Sequence, residues 1–397
     1  MKIEGLQTTV VAVPIRRAST STWYGADRRV AVLVEVFTDS DIVGLGEMMT
    51  PLGAEPSRAI IESAEPLLVG EDPTNVEPLK KKLYAAFNLT HLHIHAGCWA
   101  LNAIDMALWD ILGKACGQPL YKVWGGAFRK HIDFYGPIDA ASPDEVAEQA
   151  ERLVKEGFRT LYTKVGFSDE EDEARVRAMR EAAGPGIKIR VDANQSWSAG
   201  EAVKSIKRLS KYDLEFVDQP VLMYNIDDLA RVRAAVDVPI ASHESSWTMY
   251  DAVNVIKKGA ADIIHVDPRL DAGLGGGRIT AGLAEAAGMP VVMHSYHDLG
   301  VSQCAKMHLI ASSPNFTLAN QGGGYYPLAD DIIEGGPMKF RDGCLEVPEK
   351  PGIGVALDRA KVAEFSRYYE ENLKDKGVTE SAAAKYGAMQ YRRFFGR

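Results

Sequence analysis

The chain has 397 residues, a net charge of −9 and a pI near 5.6, with 46% apolar and 25% charged residues. This length suits one large domain plus a smaller one, and the composition is typical of a globular protein rather than a disordered one. The acidic balance argues against nucleic-acid binding, which needs a concentrated basic face, and favours small-molecule partners. The N-terminus lacks the apolar stretch of a signal peptide, and no apolar run is long enough to cross a membrane. We therefore predict a cytoplasmic protein without membrane contact.

Residues 1–130 are predicted to form an α+β domain. Two strand-like runs, TTVVAVPI and RVAVLVEVFT, precede the helical patterns SRAIIESAEPLLVG and AGCWALNAIDMALWDILGKACG. The loop at 16–28, which contains Trp23 and Tyr24, and the segment at 48–56 have the Gly, Pro and small polar residues of mobile loops. We expect this domain to cap a neighbouring active site with these segments as a lid. Trp23 and Tyr24 are candidates for substrate contact or for packing within the lid.

Residues 131–355 alternate between strand-like and helical patterns, which predicts βα units and a parallel sheet. Eight β-branched runs carry the strands: HIDFYGPI, FRTLYTKVG, IKIRVDAN, LEFVDQP, VPIASHE, ADIIHVD, MPVVMHS and FTLANQ. Eight units favour a closed barrel. An open doubly wound sheet is the alternative, but the glycine-rich fingerprint after its first strand is missing. The run AGLGGGR at 272–278 lacks the Lys and Ser/Thr of a phosphate-binding loop, so we predict a tight turn there.

Residues 356–397 are predicted to form a helical tail. A helical stretch, DRAKVAEFSRYYEENLKDKG, is followed by the segment AAAKYGAMQYRRFFGR, which is rich in aromatic residues and arginine. The tail is expected to return to the capping domain or to contribute to an oligomer interface.

Ionisable or amide residues end seven of the eight strand-like runs, at intervals of 23 to 28 residues. In a barrel, the carboxyl ends of all strands face one mouth, so these side chains are predicted to converge on a single pocket. They are Lys164, Asp192, Asp218, Glu244, Asp267, His294 and Asn320.

Three carboxylates from successive strand ends, Asp192, Asp218 and Glu244, would form an all-oxygen anionic cage. Such a cage fits a hard cation, Mg²⁺ or Mn²⁺, better than zinc, which favours histidine and thiolate ligands. A single acid at a strand end is as often a helix cap or an ion-pair partner. The metal site is therefore predicted from the three carboxylates together.

Two bases flank this cage. Lys164 precedes it in strand order, and Asp267 and His294 follow it, so a lysine and a histidine would approach a metal-bound substrate from opposite faces. A nearby divalent cation disfavours the ammonium form of lysine, which suits Lys164 to act as a general base. Asp267 would fix the tautomer and orientation of His294. The cation would stabilise the enediolate that forms when the proton α to a carboxylate leaves.

These residues resemble the enolase superfamily, in the branch that holds mandelate racemase, muconate lactonising enzymes and acid-sugar dehydratases. The resemblance covers about residues 1–360 and lies in NAIDMALWDILGKACGQPLYKVWGG, Lys164-Val165-Gly166, VDANQSW, VDQP, HES, Asp267 and His294. It implies a (β/α)₇β barrel with an N-terminal α+β capping domain, and Mg²⁺ held by Asp192, Asp218 and Glu244. It also implies a homo-oligomer such as an octamer.

The chain departs from the family at three strand ends. Tyr162-Thr163-Lys164 replaces the frequent Lys-x-Lys, Asp218-Gln219-Pro220 replaces Glu-Gln-Pro, and Asn320 lies where mandelate racemase has a glutamate. An amide cannot donate a proton as a general acid, so a mechanism identical to that of mandelate racemase is not expected.

Substrate contacts are predicted on the resemblance for four residues of the barrel mouth, which are Tyr162, Asn194, His243 and Asn320. His243 is also an alternative to Glu244 as the third metal ligand, because parts of the family carry a ligand at the preceding position.

The resemblance implies a lyase that dehydrates an aldonate or aldarate, with Lys164 or His294 removing the α-proton and His294 protonating the leaving hydroxide. Racemisation or epimerisation, and cycloisomerisation of a lactone or unsaturated acid, are alternatives within the superfamily. From other classes, Lys164 could form the Schiff base of a metal-independent aldolase, or the barrel could be a binding protein without catalysis.

Overall fold

The computed structural model describes residues 1–16, 28–50, 53–89, 96–139, 142–322 and 324–374. Trp23, Tyr24 and most of the predicted lid loop at 16–28 lie outside these residues. Among the helices described, none is long and apolar enough to cross a membrane.

The N-terminal region forms a three-stranded antiparallel sheet in the order β1-β2-β3 with helices packed against it. Its elements are β1 (Ile3–Pro14), β2 (Arg28–Thr38), β3 (Val43–Met49), α1 (Ala54–Glu62), α2 (Glu65–Leu68), α3 (Val76–Leu89), α4 (Ala96–Ala115) and α5 (Leu120–Val123). Helix α4 is apolar around nearly its whole circumference, which is typical of a buried helix. It packs against β3 so closely that a Cβ atom on Gly44 or Gly46 would collide with its backbone.

The barrel consists of eight parallel strands in the order β10-β9-β8-β7-β6-β5-β4-β11, with seven helices between them along the chain. This arrangement confirms the predicted (β/α)₇β barrel. Its elements are β4 (His131–Ile138), α6 (Pro143–Lys155), β5 (Thr160–Lys164), α7 (Asp169–Ala183), β6 (Lys188–Asp192), α8 (Ala199–Leu209), β7 (Leu214–Asp218), α9 (Ile226–Ala235), β8 (Ile240–Ser242), α10 (Met249–Lys258), β9 (Ile263–Val266), α11 (Leu274–Ala286), β10 (Val291–Met293), α12 (Gly300–Ser312) and β11 (Asn320–Gln321).

Asn320 bridges the gap between the first and last strands of the barrel order. Within the described residues, β11 pairs with β4, and no backbone ladder joins it to β10. The Asn320 side chain is 1% exposed, and its Oδ1 accepts a hydrogen bond of 2.9 Å from the backbone N–H of Met293. Its Nδ2 contacts the carbonyls of Leu318 and Asp133 at 3.3 and 3.5 Å. The amide therefore lies in the barrel wall, a placement that does not support the predicted contact between Asn320 and substrate.

Replacing Asn320 by leucine is expected to lower the free energy of unfolding by about 1–3 kcal/mol, because the N–H of Met293 would be buried without an acceptor. Urea denaturation would measure this loss. Asn254→Leu, a change at an exposed position on α10, is the matched control and should shift the value by less than about 0.5 kcal/mol. Equal effects from the two substitutions would contradict a role for Asn320 in closing the barrel.

The run at 272–278 begins in a turn, where Ala272 and Gly273 have φ values of 56° and 128°. The glycines at 275–277 lie in the first turn of α11, so the prediction of a tight turn was wrong for that part of the run. A Cβ atom on Gly275 would collide with Glu77 of α3, and one on Gly276 with the backbone of Asp271. The N–H of Leu274, at the start of α11, donates a hydrogen bond of 2.6 Å to Asp105 of α4. The glycines thus allow α11 to begin directly against the N-terminal region, which attaches that region beside the carboxyl end of β9.

Two further elements follow the barrel. They are β12 (Cys344–Glu346), which pairs antiparallel with β4, and α13 (Arg359–Asn372). Helix α13 returns to the N-terminal sheet, where Arg359 donates two hydrogen bonds, of 2.9 and 2.7 Å, to Glu35 of β2. The Arg28 guanidinium lies 3.8 Å from the ring centroid of Tyr368 on the same helix. The segment at 375–397 lies outside the described residues.

Candidate active site

Six of the ionisable residues predicted from the strand ends lie at one rim of the barrel. Each is the last residue of its strand or lies at most two residues beyond it. Because the strands are parallel, all six side chains start from the same end of the sheet. They are Lys164, Asp192, Asp218, Glu244, Asp267 and His294.

The carboxylates of Asp192, Asp218 and Glu244 form a buried acidic cluster, with the residues 1%, 1% and 6% exposed. Asp192 and Asp218 are register partners on neighbouring strands. Asn194 connects the cluster, because its backbone N–H donates to Asp192 Oδ1 and its Nδ2 donates to Glu244 Oε1, both at 2.6 Å. Asn194 has a φ of 45°, a left-handed conformation that asparagine tolerates better than most residues.

Two oxygens of this acidic cluster suggest that a cation belongs there. Asp218 Oδ1 and Glu244 Oε2 are buried and have no hydrogen-bond partner in the described part of the chain. Burial, reinforced by the charges of Asp192 and Asp218, raises the pKa of Glu244 to about 8. Orphaned carboxylate oxygens and mutual repulsion are both relieved by a hard divalent cation, so the donor set fits Mg²⁺ or Mn²⁺.

Two histidines adjoin the acidic cluster and provide a second candidate ligand set. Asp218, His243 and His265 each offer a ligand atom, and these atoms lie within 4.8 Å of one another. His243 Nδ1 is 3.5 Å from Glu244 Oε2, and His265 Nε2 is 3.2 Å from Asp218 Oδ2. Two ring nitrogens with one carboxylate suit zinc better than magnesium. Both sets contain Asp218, so they differ in whether Asp192 and Glu244 or the two histidines complete the site.

Gln219 holds the segment that carries Glu244. Its Oε1 accepts hydrogen bonds from the backbone N–H groups of His243 and Ser245, both at 3.0 Å. Its Nε2 donates to the hydroxyl of Ser245 at 2.8 Å and to the carbonyl of Val221 at 2.9 Å. The glutamine that follows Asp218 therefore positions Glu244 without belonging to the acidic cluster.

Replacing Gln219 by alanine is expected to weaken Mn²⁺ binding about 10-fold or more, because outer partners that orient ligands typically contribute that much. Titration calorimetry of the purified protein with Mn²⁺ would measure the change. Gln149→Ala is the control. It removes an amide on α6 that accepts a hydrogen bond from the backbone of Asp139, just after β4, and it should leave the affinity for Mn²⁺ unchanged. Unchanged affinity in Gln219→Ala would show that Glu244 is held without this amide.

Lys164 and Tyr162 both contact the acidic cluster from β5. The Lys164 ammonium and the Tyr162 hydroxyl donate to the same oxygen, Asp192 Oδ2. The Lys164 side chain is 34% exposed, which places it at the mouth of the barrel. The Tyr162 ring stacks on Tyr135 with a centroid distance of 4.6 Å, and burial together with the Asp192 charge raises the pKa of its hydroxyl well above the usual range. The Tyr162 hydroxyl therefore stays protonated and is a hydrogen-bond donor to Asp192.

His294 is paired with Asp267 on the other side of the acidic cluster. Its Nδ1 lies 2.7 Å from Asp267 Oδ2, and Arg269 donates to both oxygens of Asp267 at 2.9 and 2.6 Å. Against the effect of burial, Arg269 and His294 hold the pKa of Asp267 well below its usual range. Burial and the neighbouring His243 ring, whose centroid is 4.0 Å away, hold the pKa of His294 well below its usual value. His294 is therefore a neutral imidazole beside a charged carboxylate.

Three of the predicted substrate-contact residues lie within this network. Tyr162 and Asn194 bond to carboxylates of the acidic cluster, and His243 lies between the cluster and His294. Gln321, one residue after Asn320, is the register partner of Tyr135, whose ring stacks on Tyr162. Paired residues on parallel strands point to the same side of a sheet, so Gln321 shares the interior side with Tyr135.

Sequence reasoning missed His265, Gln219 and Arg269. His265 precedes Asp267 by two residues on the same strand, and residues two apart along a strand point to the same face. That alternation could have placed His265 below Asp267 in the barrel interior. Gln219 lies in the Asp218-Gln219-Pro220 motif quoted above, which could have drawn attention to it. No comparable signal marks Arg269, whose bonds to Asp267 and contact with His294 depend on the fold.

A buried acidic cluster between a lysine and a histidine-aspartate pair at a (β/α)₇β barrel mouth defines the enolase superfamily of enzymes. Sequence models of two domains match the chain: "Enolase C-terminal domain-like" over residues 145–361, and "Mandelate racemase / muconate lactonizing enzyme, N-terminal domain" over residues 6–125. The chain belongs to the mandelate racemase and muconate lactonizing enzyme branch of the enolase superfamily.

Its curated relatives include isomerases and a dehydratase. L-Ala-D/L-Glu epimerase of Bacillus subtilis is 32% identical over 89% of this chain and 97% of its own length. D-galactarolactone cycloisomerase of Agrobacterium fabrum is 30% identical over 92% and 99%. Arabinonate dehydratase of Saccharolobus solfataricus is 30% identical over 82% and 88%. These names agree on the superfamily and differ on the reaction.

Solved structures agree with this assignment. An isomerase from Streptomyces coelicolor A3(2) has a TM-score of 0.82 with 31% identity, over 92% of this chain and 99% of the other. A dipeptide epimerase from Enterococcus faecalis, solved with Mg and the dipeptide L-Leu-L-Tyr, has a TM-score of 0.82 with 28% identity, over 90% and 100%. A metal and a small carboxylate ligand are thus both known in a protein of this fold and family.

Proposed function

We propose that this enzyme removes the α-proton of a carboxylate substrate, and that the reaction is dehydration of an acid sugar, an aldonate or aldarate. One observation carries the proposal. Lys164 and the His294–Asp267 pair lie on opposite sides of one buried acidic cluster. Lys164 ends β5 and His294 follows β10. Between these two strands lie β6 to β9 on one arc of the barrel, and β4 and β11 on the other.

Asp192, Asp218 and Glu244 would hold Mg²⁺, for which Mn²⁺ could substitute. When bound, the cation supplies the positive charge that stabilises the enediolate formed on loss of the α-proton. Asn194 and Gln219 keep Glu244 in place, through the bonds described above. Lys164 and Tyr162 donate to Asp192 on the side of the acidic cluster that faces β5.

The proton steps follow from the pairing of His294. In the tautomer whose Nδ1–H donates to Asp267, the Nε2 lone pair of the neutral ring faces away from the carboxylate and can accept a proton. When His294 takes the α-proton, the imidazolium so formed gives that proton to the β-hydroxyl, which leaves as water. When Lys164 takes the α-proton, His294 serves as the acid only after it has first gained a proton from solvent. The enol that remains tautomerises to a 2-keto-3-deoxy acid. Arg269, at 2.7 Å from His294 Nδ1, disfavours a lasting imidazolium and so favours transfer of the proton to the leaving group.

Isomerisation is the second candidate, and it is supported by the names of the epimerase and cycloisomerase relatives and by the same opposed bases. In epimerisation, Lys164 and His294 would exchange the α-proton between the two faces. In cycloisomerisation, the leaving group would remain part of the molecule.

Proton NMR in D₂O separates these reactions. The protein is incubated with Mg²⁺ and a panel of aldonates, aldarates and their lactones. A 2-keto-3-deoxy acid product supports dehydration, whereas deuterium at C2 without loss of water supports epimerisation and a change of ring without loss of water supports cycloisomerisation. No exchange and no product with any acid would contradict the proposed α-proton chemistry.

A Schiff-base aldolase or a binding protein without catalysis would behave differently. An aldolase using Lys164 would retain full activity in EDTA and would be trapped with its substrate by borohydride. A binding protein would show the same ligand properties after Lys164→Ala and His294→Ala.

We also propose the homo-oligomer expected from the family resemblance, supported by the frequency of symmetric oligomers among soluble enzymes. Light scattering of the full-length protein would test it. A single monomeric species across the working concentration range would contradict it.

A further inference from the structure

Arg29, near the start of β2, is a buried cation that forms no ion pair with any residue in the described part of the chain. Its residue is 3% exposed, and its Nε and Nη1 atoms are buried without a hydrogen bond to any residue the structure describes. Arg28 next to it points the other way, toward Tyr368 of α13. A guanidinium carries five donors and stays charged, so burying it unpaired is unfavourable unless something else binds it.

The segment that follows His294 lies close to Arg29. Burial lowers the pKa of Arg29 to about 10, and the charges of Tyr296 and Asp298 oppose that shift, which places both residues within electrostatic range. Tyr296 is also a neighbour of the base, with its ring centroid 6.5 Å from that of His294. Arg29, on the N-terminal sheet, therefore lies within electrostatic range of the segment that follows His294.

His297 has a second buried polar atom for which the described residues provide no hydrogen-bond partner. Its Nε2 is buried and makes no hydrogen bond within the described chain. Its ring stacks on Tyr296 at 4.1 Å with an angle of 11°. Burial and the charge of Arg29 hold the pKa of His297 well below its usual value, so the ring is neutral and can donate a single N–H.

Of the two carboxylates near Arg29, that of Asp298 is bonded to other residues. Asp298 accepts two contacts of 2.8 Å from Lys306 and a hydrogen bond of 2.7 Å from Ser302. Asp139 lies within electrostatic range of Arg29, but no ion pair joins the two in the part of the chain described. Within the described residues, the Arg29 guanidinium therefore has carboxylates near it but no hydrogen-bonded carboxylate partner.

We infer that Arg29 and His297 form an anion subsite that binds the distal carboxylate of a dicarboxylate substrate, whose first carboxylate lies at the acidic cluster. This inference rests on the proposed function, because that function places the reacting carboxylate beside His294. A planar guanidinium matches a carboxylate with two parallel hydrogen bonds, and the His297 N–H supplies a third donor. The preferred substrate class is therefore the aldarates rather than the aldonates.

The test compares acids that differ only in their far end. Full-length protein with Mg²⁺ is titrated calorimetrically with galactarate against galactonate and with glucarate against gluconate, which have a carboxylate or a hydroxymethyl group at C6. Wild type is expected to bind at least one diacid about 10- to 100-fold more tightly than its matched monoacid. Arg29→Met should remove most of that preference and change monoacid binding less than about 3-fold, while Arg29→Lys should keep part of it.

Arg28→Met is the matched control, because it removes the same charge one residue away on the opposite face of β2, and it should retain the preference for diacids.

Thermal unfolding adds a measurement that distinguishes the subsite from a purely structural role of Arg29. Without ligand, Arg29→Met should melt at the same temperature as wild type or higher, since a buried unpaired charge is lost. A lower melting temperature with an unchanged diacid preference would overturn the subsite.

Other outcomes separate the subsite from the chemistry. Equal binding of diacids and monoacids, with deuterium exchange at C2 intact, would overturn the subsite and leave the proposed function standing. Tighter binding of 6-phosphogluconate than of glucarate, lost in Arg29→Met, would overturn the assignment to a carboxylate in favour of phosphate. Absence of both binding and exchange with every acid would overturn both proposals.

Discussion

Replacing Lys164 by alanine, or His294 by asparagine, is expected to lower kcat by about 10²- to 10⁴-fold, the range that a positioned general acid or base contributes. Each substitution removes a proton acceptor on one side of the acidic cluster and leaves the other in place. Steady-state turnover of the acid identified by the NMR panel would measure the loss. Circular dichroism would confirm folding, because Lys164 also contacts Asp192.

Stereochemistry gives this prediction a second readout. If the two bases serve opposite faces, each variant should still exchange the α-proton of the epimer that presents it to the remaining base. In a dehydration that uses His294 as the acid, His294→Asn should lose product formation while Lys164 continues to catalyse exchange.

Lys188→Ala is the control. Lys188 is an exposed residue at the start of β6, at the opposite end of the barrel, and its replacement should leave kcat unchanged. Unaltered turnover in Lys164→Ala and in His294→Asn would contradict the two-base arrangement.

The barrel and its rim could be predicted because they depend on a repeat. Eight β-branched runs with an ionisable or amide residue at the end of seven indicate both the closed sheet and the end at which Lys164, Asp192 and His294 meet. The repeat says nothing about contacts that cross between elements. Asn320 occupies a strand end like the others, yet its amide is needed to close the barrel wall, and this could be seen only once β11 was placed beside β10.

The roles of residues in the N-terminal region were harder to predict from the sequence. Strand β2 is buried on both faces over most of its length, so it lacks the polar and apolar alternation that would show which way a side chain points. Arg28 and Arg29 are therefore equivalent in sequence, although one faces α13 and the other the barrel mouth. The glycines at 275–277 were wrongly predicted to form a turn. They allow close packing against α3 and do not change the direction of the chain.

The two candidate ligand sets around Asp218 predict opposite results for two conservative substitutions. If Asp192, Asp218 and Glu244 hold the cation, Glu244→Gln should weaken Mg²⁺ and Mn²⁺ binding by more than about 100-fold, because even outer partners of ligands contribute about 10- to 100-fold. His265→Asn should change the affinity by less than about 3-fold, since this ring on β9 belongs only to the second ligand set. Asp218→Asn should abolish binding in either arrangement.

Metal binding measured by Mn²⁺ titration with electron paramagnetic resonance distinguishes the sets without any substrate. Loss of turnover in EDTA that is restored by Mg²⁺ would follow from the all-oxygen set, because carboxylate oxygens are the ligands that Mg²⁺ prefers in proteins, whereas histidine nitrogens suit Zn²⁺. Tight Zn²⁺ binding that is lost in His265→Asn but kept in Glu244→Gln would assign the cation to Asp218, His243 and His265. Lys164 and Tyr162 would then bond to an Asp192 that holds no metal, and the charge that stabilises an enediolate would lie deeper in the barrel than the two bases require.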